Sequence, residues 1–192
     1  MKKKKEYVIF DLEATCYNRG DNKPDGFKNE IIEIGAIKLD ELGNEIDRFS
    51  KFAKPKLFPF ISDFCNELTT IKQEDIDNAD PLRTVLIDFM EWAIDADLIS
   101  WGYYDAKQLI SDLSINDIDD EKYKLKIENN HYSLKHLYAA WNGLRRKGIG
   151  MKKALNIENI KLSGTHHRGI DDAENIVKIF KKYINKYKSY HE

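Results

Sequence analysis

Asp11 and Glu13 lie two residues apart in the run Tyr7-Val-Ile-Phe-Asp-Leu-Glu-Ala-Thr15. In an extended strand this spacing puts both side chains on one face, about 7 Å apart, where two carboxylates can share a cation. Spacing alone is a weak signal, because 33 of the 192 residues are acidic and roughly five acid-x-acid pairs arise by chance at ordinary charged content. Asp75/Asp77 and Asp95/Asp97 are such pairs. Asp11 and Glu13 differ in closing an apolar strand, where an unpaired charge is costly.

Asp172 carries a sharper signal. Steps of three and four from it reach Ile176, Ile179 and Tyr183, beside Ala173, Val177, Phe180 and Ile184, while Asp171, Asn175, Lys178 and Lys182 form the other face. An ionised carboxylate on such a core-facing stripe needs a cation or strong donors. The ordinary alternative is a helix-capping acid, a role that suits Asp171 better. His167 precedes Asp172 by five residues, about 140° away on a continuous helix. Gly169 is expected to let the chain enter the helix after the histidine, so that both side chains face one cleft. An unperturbed pKa near 6.5 fits His167 as a general base, whereas His166 reads as an ordinary surface or core histidine. Asp105, after Trp101-Gly102-Tyr103-Tyr104, closes a short strand at the edge where open α/β sheets place ligands. It reads equally as a first-turn helix acid.

The elements that must carry these residues follow from periodicity and turn chemistry. Strands are predicted over Tyr7–Leu12, Ile31–Leu39 and Ile46–Phe52, the last two joined by a turn at Leu42-Gly43-Asn44. A short helical stretch spans Ser62–Ala79, and Pro81 begins a helix whose apolar face is Leu82, Val85, Leu86, Phe89, Met90 and Ala93. Leu98–Trp101 reads as one further strand, followed by a helix from Asp105 toward Ile115 and a solvated acidic loop at Asp117–Glu121. Short helices over Ser133–Trp141 and Met151–Ile157 flank the basic, glycine-punctuated Gly143–Gly150, and the last helix runs from about Ile170 to Tyr187. Together they predict an α/β or α+β mixed sheet flanked by helices.

A chain of 192 residues fits one domain, here taken as 1–192 with basic tails at both ends. With 42% hydrophobic and 33% charged residues it reads as globular, with no apolar run near the roughly 20 residues a bilayer requires. No membrane association is expected, and the location is expected to be cytoplasmic. Two cysteines, Cys16 and Cys65, are too few for a disulfide scaffold and fit a reducing compartment. A net charge of −2 excludes a protein that coats nucleic acid nonspecifically, but not a nuclease whose central acids offset its basic surface.

Phe10–Thr15 (FDLEAT), the WGYYD run ending at Asp105, and His166–Asn175 (HHRGIDDAEN) resemble the three motifs of the DEDDh 3′→5′ exonuclease family. The likeness covers about residues 6–184. NEIIEIGAIKL and ELTTIKQEDIDNADP are similar to the ERI-type and KapD-like branch of that family. This resemblance implies a ribonuclease-H-like mixed β-sheet flanked by α-helices. It implies Asp11, Glu13, Asp105 and Asp172 as metal-site carboxylates, His167 as general base, and two Mg²⁺ or Mn²⁺ ions. The implied reaction releases nucleoside 5′-monophosphates from the free 3′ end of single-stranded nucleic acid, with RNA expected over DNA and a monomer as the default state. Ala14, Thr15, Leu68, Thr70 and Tyr104 are the implied substrate contacts, with ordinary packing as the alternative. Thr70 stands where relatives commonly have glycine, and Tyr104 where tryptophan is frequent.

Arg145-Arg146-Lys147 and Lys152-Lys153 read either as phosphate contacts or as solvated charged faces. A DNA-preferring exonuclease and a noncatalytic nucleic-acid-binding module are the alternatives on the same fold. A small-metabolite phosphoesterase, or a zinc site of His131, His136 and Cys65 without recognisable zinc spacing, is a third.

Overall fold

The computed structural model describes residues 5–191, so that only Lys5 of the basic leader falls within it. Strand β1 (Tyr7–Ala14) lies at the centre of a five-stranded sheet, covered on both faces. Its neighbours are β2 (Ile31–Leu39), antiparallel, and β4 (Asp97–Ser100), parallel. β3 (Glu45–Phe52) continues the antiparallel meander, and β5 (His131–Ser133) pairs parallel with β4, giving the order β3-β2-β1-β4-β5.

Side-chain alternation along β1 divides the core. Val8, Phe10 and Leu12 face α3 (Leu82–Ala93), α4 (Tyr104–Ile115) and α5 (Glu121–Asn130), where they pack with Phe89, Leu109 and Ile127. Tyr7 and Ile9 face α6 (Leu134–Trp141), α7 (Met151–Ile157) and α8 (Gly169–His191), among Tyr138, Leu155 and Phe180. Asp11 and Glu13 continue this second set of odd positions. The small helices α1 (Asp63–Thr69) and α2 (Gln73–Asp77) pack Cys65 and Ile76 on Ile32. All six residues of the predicted apolar face of α3 are buried. Burying large apolar side chains of this kind contributes about 1.5–3 kcal/mol each, so packing, rather than the polar cluster, sets where α8 sits.

The structure departs from the sequence reading in three places. The sheet has a fifth strand, β5, of three residues, and Glu121 opens a ten-residue helix instead of ending a loop. Asp120 caps that helix by accepting the Lys122 amide, and only Tyr123 and Ile127 are buried along it. Asn175, expected on the polar face of α8, is buried. Its side chain accepts from the Ser163 amide at 3.0 Å and donates to the Ser163 carbonyl at 2.8 Å.

Candidate active site

Four carboxylates arrive from three elements. Asp11 and Glu13 come from the end of β1, where the register with β2 shifts between Glu13 and Ala14 and regular pairing ends. Asp105 stands in the first turn of α4, just past the carboxyl end of β4. Asp172 stands in the first turn of α8 and is only 3% exposed. Ligand oxygens of Asp11, Glu13 and Asp172 all lie within 4.8 Å of one another.

Close backbone packing brings α8 to β1. Gly35, paired across the ladder with Asp11, lies so near Gly169 that a Cβ would overlap the Gly169 carbonyl carbon and the Ile170 nitrogen. A Cβ on Gly169 would in turn meet the Gly35 nitrogen at 2.9 Å and the Asp11 carbonyl at 3.2 Å. Gly169 is therefore needed for contact rather than for torsional freedom. The left-handed turn falls on His167 itself, at φ 65°.

That turn aims the His167 amide at Asp172, whose carboxylate accepts it at 2.9 Å. His166 Nδ1 also lies 2.9 Å from an Asp172 carboxylate oxygen, and the two histidine rings overlap with centroids 4.0 Å apart. Ligand atoms of His166, His167 and Asp172 form a second group within 4.8 Å. His166 thus belongs to the cluster, contrary to its reading as an ordinary histidine. Asp171 holds the preceding loop by accepting the Thr165 amide at 2.7 Å.

A fifth carboxylate escaped the sequence reading. Glu33, opposite Glu13 in the ladder, is buried and accepts from Arg168 at 3.1 Å through both oxygens and from the Gly169 amide at 2.9 Å. This bidentate pair fastens the histidine loop to β2. A single acid within the apolar run Ile31–Ile37 was the available signal.

Burial raises the Asp11 pKa well above the carboxylate range, reinforced by Asp105, Glu13 and Asp172. Burial likewise pushes Glu13 up to about 8, with Asp172 and Glu33 adding repulsion. Asp105 rises to about 6 by burial, opposed by hydrogen bonds from Ser100 and the Leu12 amide. Such acids ionise together only beside a compensating cation, and Arg168 is committed to Glu33. The donor set is all hard oxygen, which suits Mg²⁺ or Mn²⁺. His167 is shifted the other way, below its ordinary value, by burial and by His166. The alternative zinc ligands do not meet: His131 bonds Ser100, His136 bonds Ser133, and Cys65, a residue of α1, is buried against Ile32.

The implied substrate contacts divide. Thr15 is buried, with its hydroxyl accepting the Glu30 amide at 3.0 Å and its own amide donating to the Glu30 carbonyl at 2.9 Å. It closes the strand end. Ser62 donates to the Cys16 carbonyl at 2.6 Å, which packs α1, the helix that carries half-buried Leu68 and ends at exposed Thr70, against the Ala14–Cys16 segment. Thr70 takes the left-handed conformation at φ 63° that helix termini usually give to glycine. Tyr104 is 54% exposed, one residue before Asp105.

A ribonuclease-H-like sheet carrying this carboxylate cluster and its histidine defines a metal-dependent nuclease class. The chain belongs to the Exonuclease (RNase T) family, whose model matches residues 8–180. It is 31% identical to human ERI1 exoribonuclease 2 over 92% of this chain and 28% of that protein. It is also 31% identical to bovine ERI1 exoribonuclease 3, over 91% of this chain and 52% of the relative. The chain therefore spans between about a quarter and a half of these relatives. The nuclease domain of 3′hExo, described as a DEDDh family member bound to rAMP, superposes with TM-score 0.80 at 24% identity, over 96% of this chain and 94% of that one. Exonuclease I superposes with TM-score 0.75 at 14% identity, over 97% of this chain and 44% of that one. Both share the fold.

Proposed function

We propose that this chain is a two-metal-ion 3′→5′ exonuclease of single-stranded nucleic acid, with RNA as its preferred substrate. The observation that carries this reading is the convergence of Asp11, Glu13, Asp105 and Asp172 in a buried cluster that, among the described residues, no Lys or Arg side chain balances. Two Mg²⁺ or Mn²⁺ ions held by these residues would neutralise them and stabilise the charge that develops on the attacking and leaving oxygens. The Asp172 carboxylate is aimed by the His167 amide and the His166 ring. His167, favoured in its neutral form, accepts the proton of the attacking water. Exposed Tyr104 offers a face on which a terminal base stacks, and Leu68 and Thr70 border the terminal sugar.

Digestion from a free 3′ end releases nucleoside 5′-monophosphates. The RNA preference is supported by the relatives' names as exoribonucleases and by the rAMP bound to 3′hExo. A cytoplasmic monomer is part of this reading, and free Cys16 and Cys65 accord with a reducing compartment.

The test is a comparison of labelled linear and circular single strands, as RNA and as DNA, with Mg²⁺ and with Mn²⁺. Linear RNA should shorten stepwise from its 3′ end, and the circle should stay intact. Asp11→Asn should abolish hydrolysis while the protein stays folded. Internal cuts in the circle, or near-normal cleavage by folded Asp11→Asn protein, would remove the proposal, and faster decay of DNA would remove only the RNA preference.

A further inference from the structure

Beside the carboxylate cluster, along the outer edge of β5, runs a groove of about 940 Å³ that the exonuclease reading does not use. Its floor is the β5 edge and α6, and its walls include Tyr103, Tyr132, His136, Trp141, Arg146 and Lys147. Among the described residues no carboxylate lines it, although acids outnumber Lys and Arg 33 to 31 in the chain. Tyr190 stands at its far end, 66% exposed.

The near end adjoins the active site. Tyr103 is two residues from Asp105, so their backbones lie within about 7 Å of each other by chain reach. Tyr103 is half exposed and lies over the His136 ring, with centroids 4.7 Å apart and planes tilted by 30°. Trp141 stacks on Tyr183 with centroids 5.6 Å apart and planes within 5°, and lines the groove.

The cations stand on a braced turn. Gly148, at φ 70°, packs so tightly on α6 that a Cβ would meet the Lys135 side chain at 2.7 Å, and its amide donates to the Arg145 carbonyl at 2.8 Å. The Trp101 indole donates to the Ile149 carbonyl at 3.1 Å. Arg146 and Lys147, both exposed, are thereby presented at the groove from an anchored base.

We propose that this groove is a second nucleic-acid subsite, which holds the single strand on the 5′ side of the bond being cut. The inference rests on the exonuclease reading of the neighbouring carboxylates. Aromatic faces interleaved with cations and free of carboxylates suit a flexible strand, because bases of any sequence stack on the rings while phosphates meet the positive charges. A protein surface of ordinary composition would bring acids of its own to a groove that pairs none of them. The strand leaves the cluster over Tyr103 and follows β5 toward Tyr190. The subsite makes affinity depend on length, so a long strand is held through successive cuts while a dinucleotide is not.

The test compares wild-type protein with Arg146→Glu/Lys147→Glu and with Tyr103→Ala, all as full chains, on a single-stranded RNA 20-mer and an RNA dinucleotide. Binding of the 20-mer is read by fluorescence anisotropy in EDTA across a salt series, and hydrolysis of both substrates in Mg²⁺. The charge reversal should raise the Kd of the 20-mer at least tenfold. The slope of log Kd against log salt should fall by about 1.4, the value for two lost phosphate contacts on a single strand. The preference in kcat/KM for 20-mer over dinucleotide should fall at least tenfold, and Tyr103→Ala should lower it in the same direction.

An unchanged Kd and slope in the charge reversal overturns the subsite, while continued hydrolysis leaves the exonuclease reading standing. Wild-type protein that binds the 20-mer through Arg146 and Lys147 yet hydrolyses neither substrate keeps the subsite and sinks the exonuclease reading. A wild-type dimer that the charge reversal dissociates, at unchanged RNA affinity, assigns the groove to a second copy and overturns the proposal.

Discussion

His166 and His167 are adjacent and partly buried, yet their rings stand in different chemical positions. The His166 ring contacts Asp172, whereas His167 contributes its backbone amide to that carboxylate and, among the described residues, its ring nitrogens make no hydrogen bond. An uncommitted imidazole held neutral is the state a general base requires. His167→Ala should lower turnover by about 10²–10⁴-fold at any metal concentration and remove the acid limb of the pH–rate profile. In the unaltered protein that limb should centre below histidine's ordinary value, because burial and His166 disfavour the imidazolium. His166→Ala should instead raise the Mg²⁺ concentration for half-maximal activity by about 10–100-fold, the usual cost of losing a group that orients a metal ligand. Turnover should recover at saturating metal. Loss of the acid limb in His166→Ala, and not in His167→Ala, would exchange their roles.

Two backbone positions join the elements into a site. At the Gly35–Gly169 contact, α8 meets the sheet beside Asp11, so the separation of Asp172 from Asp11 depends on two missing side chains. Gly35→Ala should destabilise the protein by about 3 kcal/mol or more, since backbone rather than a flexible side chain must move. Urea denaturation measures this, and loss of activity should exceed loss of folded protein. Thr70 presents the opposite case, a β-branched residue in the left-handed conformation at the end of α1. Strain there costs about 1–3 kcal/mol, and glycine loses about 0.4–1 kcal/mol through the unfolded chain. Thr70→Gly should therefore stabilise the fold by about 1 kcal/mol, and an unchanged or lower urea midpoint would show that the turn is not strained.

The whole molecule stores repulsion at its centre that shapes its response to pH. Glu13 has a folded pKa of about 8, well above its ordinary value of 4.5, and Asp11 is raised in the same direction. Between those two values the folded state binds more protons than the unfolded state, so stability must decline as pH rises. In EDTA the melting temperature should fall from about pH 5 to pH 8 through these two groups together with Asp105 and Asp112, which burial raises to about 6 and about 7. Saturating Mg²⁺ should abolish most of that fall, and Glu13→Gln should flatten it without metal. A metal-free melting temperature that climbs across this range would contradict a repulsive cluster.

Much of this site was legible because its residues obey short periods. The spacing of two along β1 and the three-four spacing along α8 placed Asp11, Glu13 and Asp172 inward before any contact was known. The apolar face of α3 was readable for the same reason. Glu33 and Arg168 were not, because their pairing joins residues 135 apart in sequence. β5 was missed since three residues are too few to display alternation, and α5 because two buried side chains among charged neighbours leave only a faint stripe. His166 and Gly169 show the limit most clearly. Residue type and spacing established that a histidine precedes the helix and that a glycine stands where it begins, but which ring meets Asp172, and whether the glycine supplies torsion or contact, depended on β2 passing within van der Waals reach of α8. Local sequence thus determined the elements and the faces they bury. Only tertiary packing decided how five carboxylates come together, because their approach depends on the Gly35–Gly169 contact of β2 with α8, between residues far apart in sequence.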